Sequence, residues 1–217
     1  MSFVDRQDAG RQLAAALSRF KDQSPVVLAL PRGGVPVGFE IAARLRAPLD
    51  IVLVRKIGHP HSPELAVGAI AEGDRLETFI DVSAVADLGV SQSYLDAEIA
   101  RQSRKITHRR RLYFKDRRPV DIGQRTVIVV DDGIATGATM QAALRAIRRR
   151  APARLVLAVP VAPTSTLDAL RREVDEIACL ESPEEFGAVG FFYADFRPVD
   201  DAVVIDLLDR AAKAAPT

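Results

Sequence analysis

A chain of 217 residues with 48% hydrophobic content is long enough for one substantial core with a small appended lobe. Its 30 basic residues are nearly matched by 29 acidic ones, and a net charge of +1 argues against a purely electrostatic nucleic-acid binder. No apolar run approaches the roughly 20 residues that span a bilayer, the amino terminus carries no basic segment leading into an apolar one, and the single Cys179 allows no internal disulfide. The expected location is cytoplasmic, with no membrane partner.

Asp5 can cap a helix reaching about Lys21, with Ala9, Leu13, Leu17 and Phe20 on one face; its role reads as packing. Val26 to Leu30 predict a short strand that runs into Pro31-Arg32-Gly33-Gly34. Glycines at the carboxyl end of a strand let backbone N–H groups come close to a ligand, and Arg32 adds a rigid fork of donors for oxyanions. Taken alone, the segment also fits a plain strand-to-helix turn. A helix from about Pro36 to Arg46 leads to a second buried strand, Asp50 to Val54, with the cations Arg55 and Lys56 at its end.

Ile57 to Glu64 is rich in Gly, Pro and polar residues and reads as a mobile loop, part of a flexible region over 57–76. His59 and His61 within it read as exposed loop residues rather than metal ligands, since no further His or Cys is near. Glu64 to Glu72 and Glu77 to Ile80, separated by Gly73-Asp74-Arg75, read as a hairpin or two short strands. Ser91 or Ser93 starts a helix to about Phe114 with a thin apolar stripe of Leu95, Ile99, Ile106 and Tyr113. Residues 101–118 hold nine Lys/Arg against one Asp, which fits a solvated helix face, an oligomer contact or a nucleic-acid surface.

The most informative stretch is Arg125 to Thr139. Val127 to Val130 are four consecutive β-branched apolar residues, the pattern of a strand buried on both faces of a parallel sheet. Asp131 and Asp132 follow at its carboxyl end, where open α/β sheets bind ligands. A short turn, Gly133 to Gly137, then opens a helix whose Met140, Ala143, Leu144 and Ile147 fall at helical spacing. Free N–H groups at that helix start, its dipole and the hydroxyls of Thr136 and Thr139 make a seat for a phosphate. The two acids beside it suit hydroxyl groups or a metal better than a second anion. A P-loop would need Lys-Ser/Thr after its second glycine, and here Gly137 is followed by Ala138-Thr139.

A phosphate at one end and a vicinal diol at the other describe a ribose 5-phosphate, and the segment resembles the phosphoribosyl pyrophosphate (PRPP) motif of the type I phosphoribosyltransferases. The resemblance implies that Asp131 and Asp132 bind the ribose hydroxyls and act in catalysis. It implies that Ala135, Thr136, Gly137, Ala138 and Thr139 bind the 5′-phosphate, and that Arg32, Gly33, Gly34, Arg55 and Lys56 bind pyrophosphate. Gly133 departs from the family, where many members carry an aliphatic residue.

Beyond the motif, Arg154 to Val159 predict a strand, Thr164 or Ser165 caps a helix to about Glu173, and Glu176 to Leu180 form a further strand. Five of the chain's twelve Phe and Tyr residues fall within 181–198, a span that resembles the base-binding hood of purine-salvage members. Phe186 and Phe191 are the candidate base stackers, and Asp195, one residue out of the family's register, is the candidate metal contact. A last helix runs from about Asp201 to Ala212.

The resulting expectation is a single α/β domain over 1–217: a three-layer, mostly parallel sheet of about five strands flanked by helices, with a small hood. The resemblance implies a Mg²⁺-dependent transfer of ribose 5-phosphate from PRPP to a nitrogenous acceptor such as a purine or pyrimidine base, in a homodimer serving nucleotide salvage. The alternative is a PRPP- or nucleotide-sensing regulator that binds nucleic acid through the basic helix.

Overall fold

The computed structural model describes residues 2–72, 76–114 and 119–214, with Pro63 and Glu64 described for their backbone alone. The turn expected at 73–75, the end of the basic run at 115–118 and the terminal residues 215–217 lie outside the described residues.

Five parallel strands form the central sheet in the order β2 (Leu49–Ile51), β1 (Val26–Ala29), β6 (Thr126–Val130), β7 (Arg154–Val161) and β8 (Glu176–Glu181). Every residue of β6 is buried, as its uninterrupted β-branched run requires. Alternate residues face opposite layers. Val127 and Val129, with Val26, Leu28, Leu155 and Leu157, pack against Met140, Leu144 and Ile147 of α5 (Ala138–Arg149) and Leu167 and Leu170 of α6 (Thr164–Leu170). Ile128 and Val130 face the other way, onto Leu13 and Leu17 at α1 (Arg6–Ala16) and Val37, Ile41 and Leu45 of α2 (Gly34–Leu45). Each buried aliphatic side chain contributes about 1.5–3 kcal/mol, so the apolar stripes of these helices settle where they dock.

A second, antiparallel sheet joins β3 (Val54–His59), β4 (Ser62–Glu72) and β5 (Leu76–Ile80). The strand expected at 50–54 is therefore divided between two sheets. Val52 still donates its N–H to Ala29, whereas the Leu53 carbonyl already accepts from Glu72. The segment expected to be an irregular loop at 57–64 has strand backbone, with Pro60 and His61 at the turn. Its glycine marks a bulge, since the β3–β4 register shifts on both sides of Gly58.

Helix α4 (Gln92–Phe114) rests on this hairpin and on α7 (Asp201–Ala214): Leu95, Ile106 and Tyr113 join Ile57, Ile70, Val204 and Leu207 in one cluster. Its thin stripe is thus covered, and the basic residues flank it. A short helix α3 (Val82–Asp87), capped by Asp81 accepting from the Ala84 N–H at 2.9 Å, escaped the periodicity. The first expected helix ends early at Ala16 and continues as a 3₁₀ turn over Ser18–Gln23 that seats Phe20 in the core. Among the described residues no helix is long and apolar enough to cross a membrane.

Candidate active site

Strand β6 delivers Asp131 and Asp132 to the carboxyl edge of the central sheet. The Asp132 N–H donates to Asp131 Oδ1 at 2.9 Å, so the two acids are mutually oriented. Burial, and next the neighbouring Asp132 carboxylate, push Asp131 well above the usual carboxylate range and favour its neutral form. Asp132 has a charged partner: Arg6 Nε donates to its Oδ2 at 2.7 Å, with the side chains only 11% and 16% exposed.

The loop after β1 closes directly on these acids. A Cβ at Gly33 would lie 1.9 Å from Asp132 Oδ2, so no other residue fits between loop and carboxylate without displacing one of them. Leu30 donates its N–H to the Val130 carbonyl at 2.8 Å, which fixes the two strand ends side by side. The Pro31–Arg32 peptide bond is cis. Arg32 stands 3.9 Å from Asp201 Oδ1 on α7.

Gly137, at φ +79°, is the N-cap of α5 and makes no side-chain cap bond, which leaves the first amides of the helix facing out of the loop. Ala135, Thr136, Ala138 and Thr139 are exposed. Thr166 Oγ1 donates to the Ala135 carbonyl at 2.6 Å and steadies the loop from α6. Gly133 has a local reason: a Cβ there would meet Val189 Cγ1 at 2.4 Å, so the hood's close approach excludes the family's aliphatic residue.

A cleft of about 820 Å³ runs between the loop after β6, β3 and α4. Its walls include Thr136, Ala138 and Thr139 on one side, Arg55 and Lys56 on another, and Arg101 and Lys105 on the third. The structure therefore brings both predicted strand-end cations to the predicted phosphate loop, from β3 rather than from the end of the central-sheet strand. Burial, then repulsion from Arg109, lowers the pKa of Arg55.

The hood places its aromatic rings less as expected. Phe186 stacks on Phe192, centroids 5.6 Å apart, within a cluster that includes Phe3 and Tyr193. Phe191 is 72% exposed and keeps a free face. Asp195, the candidate metal contact, is an exposed carboxylate whose two oxygens accept from Arg197, at 2.6–3.0 Å, and that guanidinium holds its pKa down at about 2. Among the described residues no group of three His, Cys, Asp or Glu could hold a metal.

Arg6 is the residue of the candidate site that the linear pattern hid. It lies off the apolar stripe of α1, and nothing local links it to a carboxylate 126 residues away. Its guanidinium lies 3.9 Å from the Phe196 ring centroid, and its Nη1 donates to the Arg197 carbonyl at 2.9 Å. Tyr193 supports the same point, donating its hydroxyl to the Asp132 carbonyl at 2.6 Å; burial, then Asp132, raises its pKa. The amino-terminal helix, the hood and the acidic pair are thereby locked together.

A family model described as the phosphoribosyl transferase domain matches residues 4–195. The chain belongs to this family. Two Mycobacterium tuberculosis proteins named "putative phosphoribosyl transferase", from strains CDC 1551 and H37Rv, are each 42% identical over 209 residues. The match takes in 96% of the chain and 47% of theirs, so the chain spans about half the length of these curated relatives. The crystal structure of TT1426 from Thermus thermophilus superposes with a TM-score of 0.83 at 44% identity, covering 96% of this chain and 98% of that one. The AQ2163 protein of Aquifex aeolicus shares the fold alone, with a TM-score of 0.51 at 12% identity over 85% of this chain and 78% of its own. Against this phosphoribosyl transferase background, the acidic pair and the two strand-end loops occupy one edge of one sheet.

Proposed function

We propose that this phosphoribosyl transferase domain binds PRPP and transfers its ribose 5-phosphate to a nitrogenous acceptor, with release of pyrophosphate. The observation that carries the reading is the Asp131-Asp132 pair at the end of β6, in contact with the Gly33 loop and one short turn from the open amides of α5.

In this reading the 5′-phosphate sits on Ala135 to Thr139, where backbone N–H groups and the helix dipole favour an anion. The ribose hydroxyls donate to Asp131 and Asp132. In the reaction the bond from the anomeric carbon to the pyrophosphate oxygen breaks and a bond to the acceptor nitrogen forms; the acceptor loses its proton. The ring passes through an oxocarbenium-like state, which the Asp132 carboxylate stabilises by field and Asp131, accepting from the ribose, by orientation. Arg6 and Tyr193 hold Asp132 in place for that task. Arg32, Arg55 and Lys56, together with Gly33 of the loop after β1, face the charge that collects on the leaving group, while the Gly34 N–H is taken up by the Leu30 carbonyl at 3.0 Å.

The residues present fit a Mg²⁺ that takes one or two carboxylate oxygens and draws its remaining ligands from phosphate and water, rather than a metal caged by the protein. When bound it would help neutralise the leaving pyrophosphate. For a purine or pyrimidine acceptor, Phe191 offers the open ring face, while Phe186 is engaged with Phe192.

The test is pyrophosphate release from PRPP and Mg²⁺ across a panel of purine and pyrimidine bases. Release that depends on one acceptor, and is lost in Asp131→Asn/Asp132→Asn, supports transfer. Release of pyrophosphate at the same rate with and without every acceptor would contradict it and indicate hydrolysis.

A further inference from the structure

The loop after β6 is held from behind at two of its residues. Ile134 donates its N–H to the Val161 carbonyl at 3.0 Å, which ties the start of the loop to the end of β7. One residue further on, Thr166 Oγ1 of α6 donates to the Ala135 carbonyl at 2.6 Å. Thr166 is only 9% exposed, and its own N–H is taken up by the Pro163 carbonyl at 3.0 Å in the first turn of its helix. Its methyl lies under the next bend: a Cβ on Gly137, which sits at φ +79°, would come within 2.9 Å of Thr166 Cγ2. One buried side chain thus meets the loop twice, with its hydroxyl at Ala135 and its methyl at Gly137.

The hydroxyl fixes more than the carbonyl it holds. The Ala135–Thr136 peptide bond is trans, so its C=O and N–H point in opposite directions from one plane. With the carbonyl drawn toward α6, the Thr136 N–H faces away from α6. Thr136 lines the 820 Å³ cleft together with β3 and α4, and Thr166 does not. Among the described residues nothing accepts from the Thr136 N–H. With the peptide turned the other way, a carbonyl oxygen would stand where the N–H now does and would repel an anion. The bond from Thr166 therefore decides which end of a backbone dipole the loop presents ahead of the first amides of α5.

We infer that Thr166 is a positioning residue: without touching the ligand, it turns the Thr136 N–H toward the phosphate of a sugar phosphate bound at the start of α5. The inference rests on the transferase reading, in which that group is the 5′-phosphate of PRPP. It adds a residue of α6, 31 positions from Ala135, that belongs neither to the motif nor to the walls of the cleft. The hydroxyl carries the role, while the methyl packs at Gly137. Thr166→Ser therefore keeps the role, and Thr166→Val, which preserves the shape without the hydroxyl, loses it.

The experiment titrates ribose 5-phosphate into the full chain by calorimetry and follows the Ala135 carbonyl-carbon signal by NMR, because that shift reports a hydrogen bond at the carbonyl. Four variants are run beside the parent: Thr166→Val, Thr166→Ala as a second form without the hydroxyl, Thr166→Ser, and Thr164→Val as a control on the same helix, where the exposed hydroxyl donates to the Ser182 carbonyl instead, at 3.1 Å. Thermal melts establish which are folded. The expected result is ribose 5-phosphate binding at least fivefold weaker in Thr166→Val and Thr166→Ala and within twofold of the parent in Thr166→Ser and Thr164→Val. The Ala135 signal moves in the first two variants and stays in the others. A loss of less than fivefold without the hydroxyl, an equal loss in Thr166→Ser, or an Ala135 signal that does not move in Thr166→Val overturns the inference while the transferase reading stands. Unfolding of both hydroxyl-free variants overturns it as well, since the hydroxyl would then hold the domain rather than aim the loop. A folded parent that does not bind ribose 5-phosphate removes the transferase reading and the inference together.

Discussion

Replacing Arg6 by Ala removes a side chain that joins three parts of the molecule. It deletes the 2.7 Å bond to Asp132, the 2.9 Å bond to the Arg197 carbonyl and the guanidinium–ring contact with Phe196. A hydrogen bond involving a charged group contributes about 1.5–3 kcal/mol. A partly desolvated cation–ring contact adds roughly 0.5–2 kcal/mol. With side chains 11% and 16% exposed, solvent screens the ion pair weakly, and Asp132 would be left half-buried beside Asp131. The contributions overlap, so the net destabilisation expected is about 2–4 kcal/mol. For a domain of this size that corresponds to a Tm lower by on the order of 5–15 °C. The assay is a thermal melt followed by circular dichroism, with Arg11→Ala as the comparison, since Arg11 is 57% exposed and only 3.7 Å from Asp8. A double-mutant cycle of Arg6→Ala with Asp132→Asn should return a coupling of at least about 1 kcal/mol. An Arg6→Ala melt indistinguishable from that of Arg11→Ala, or a cycle with no coupling, would refute the lock.

Gly33→Ala should leave the core intact but force the loop or the Asp132 carboxylate to move, because its Cβ would lie 1.9 Å from Asp132 Oδ2; PRPP affinity falls at least tenfold while far-UV circular dichroism is unchanged, and retained affinity would contradict the close packing. Asp131 favours its neutral form when folded, so its folded pKa lies above the unfolded value; stability from this group is present below the usual Asp range near 4 and is lost as pH rises through the raised value. Asp131→Asn should therefore raise Tm at pH 7 relative to the parent and leave Tm near pH 4 little changed, while weakening PRPP binding. A variant that melts lower than the parent at pH 7 would show that the acid is not held against burial.

Much of the fold could be read directly. A strand covered on both faces must be apolar without interruption, which is why Val127 to Val130 identified the centre of the sheet. The helices flanking it betrayed themselves by stripes such as Met140, Leu144 and Ile147. The turn that opens α5 was legible because its features are local: an αL glycine, free amides and hydroxyls lie within a few residues of one another. Contacts between distant segments were not. An apolar run such as Asp50 to Val54 does not say which sheet its residues join, and Gly58 and Pro60 read as loop although they mark a bulge and a turn in a hairpin. The rings of the hood could stack on a ligand or on each other, and composition alone does not separate Phe186, which packs, from Phe191, which does not. Arg6 acts across the tertiary structure, on a carboxylate its own segment gives no hint of.

The measurement that bears most directly on the central claim is a calorimetric titration of PRPP with Mg²⁺ into the parent chain and into Asp131→Asn/Asp132→Asn. Saturable binding to the parent that disappears in the folded double variant is the predicted result. No binding to a folded parent, or equal binding to both proteins, would contradict the ribose site at the end of β6.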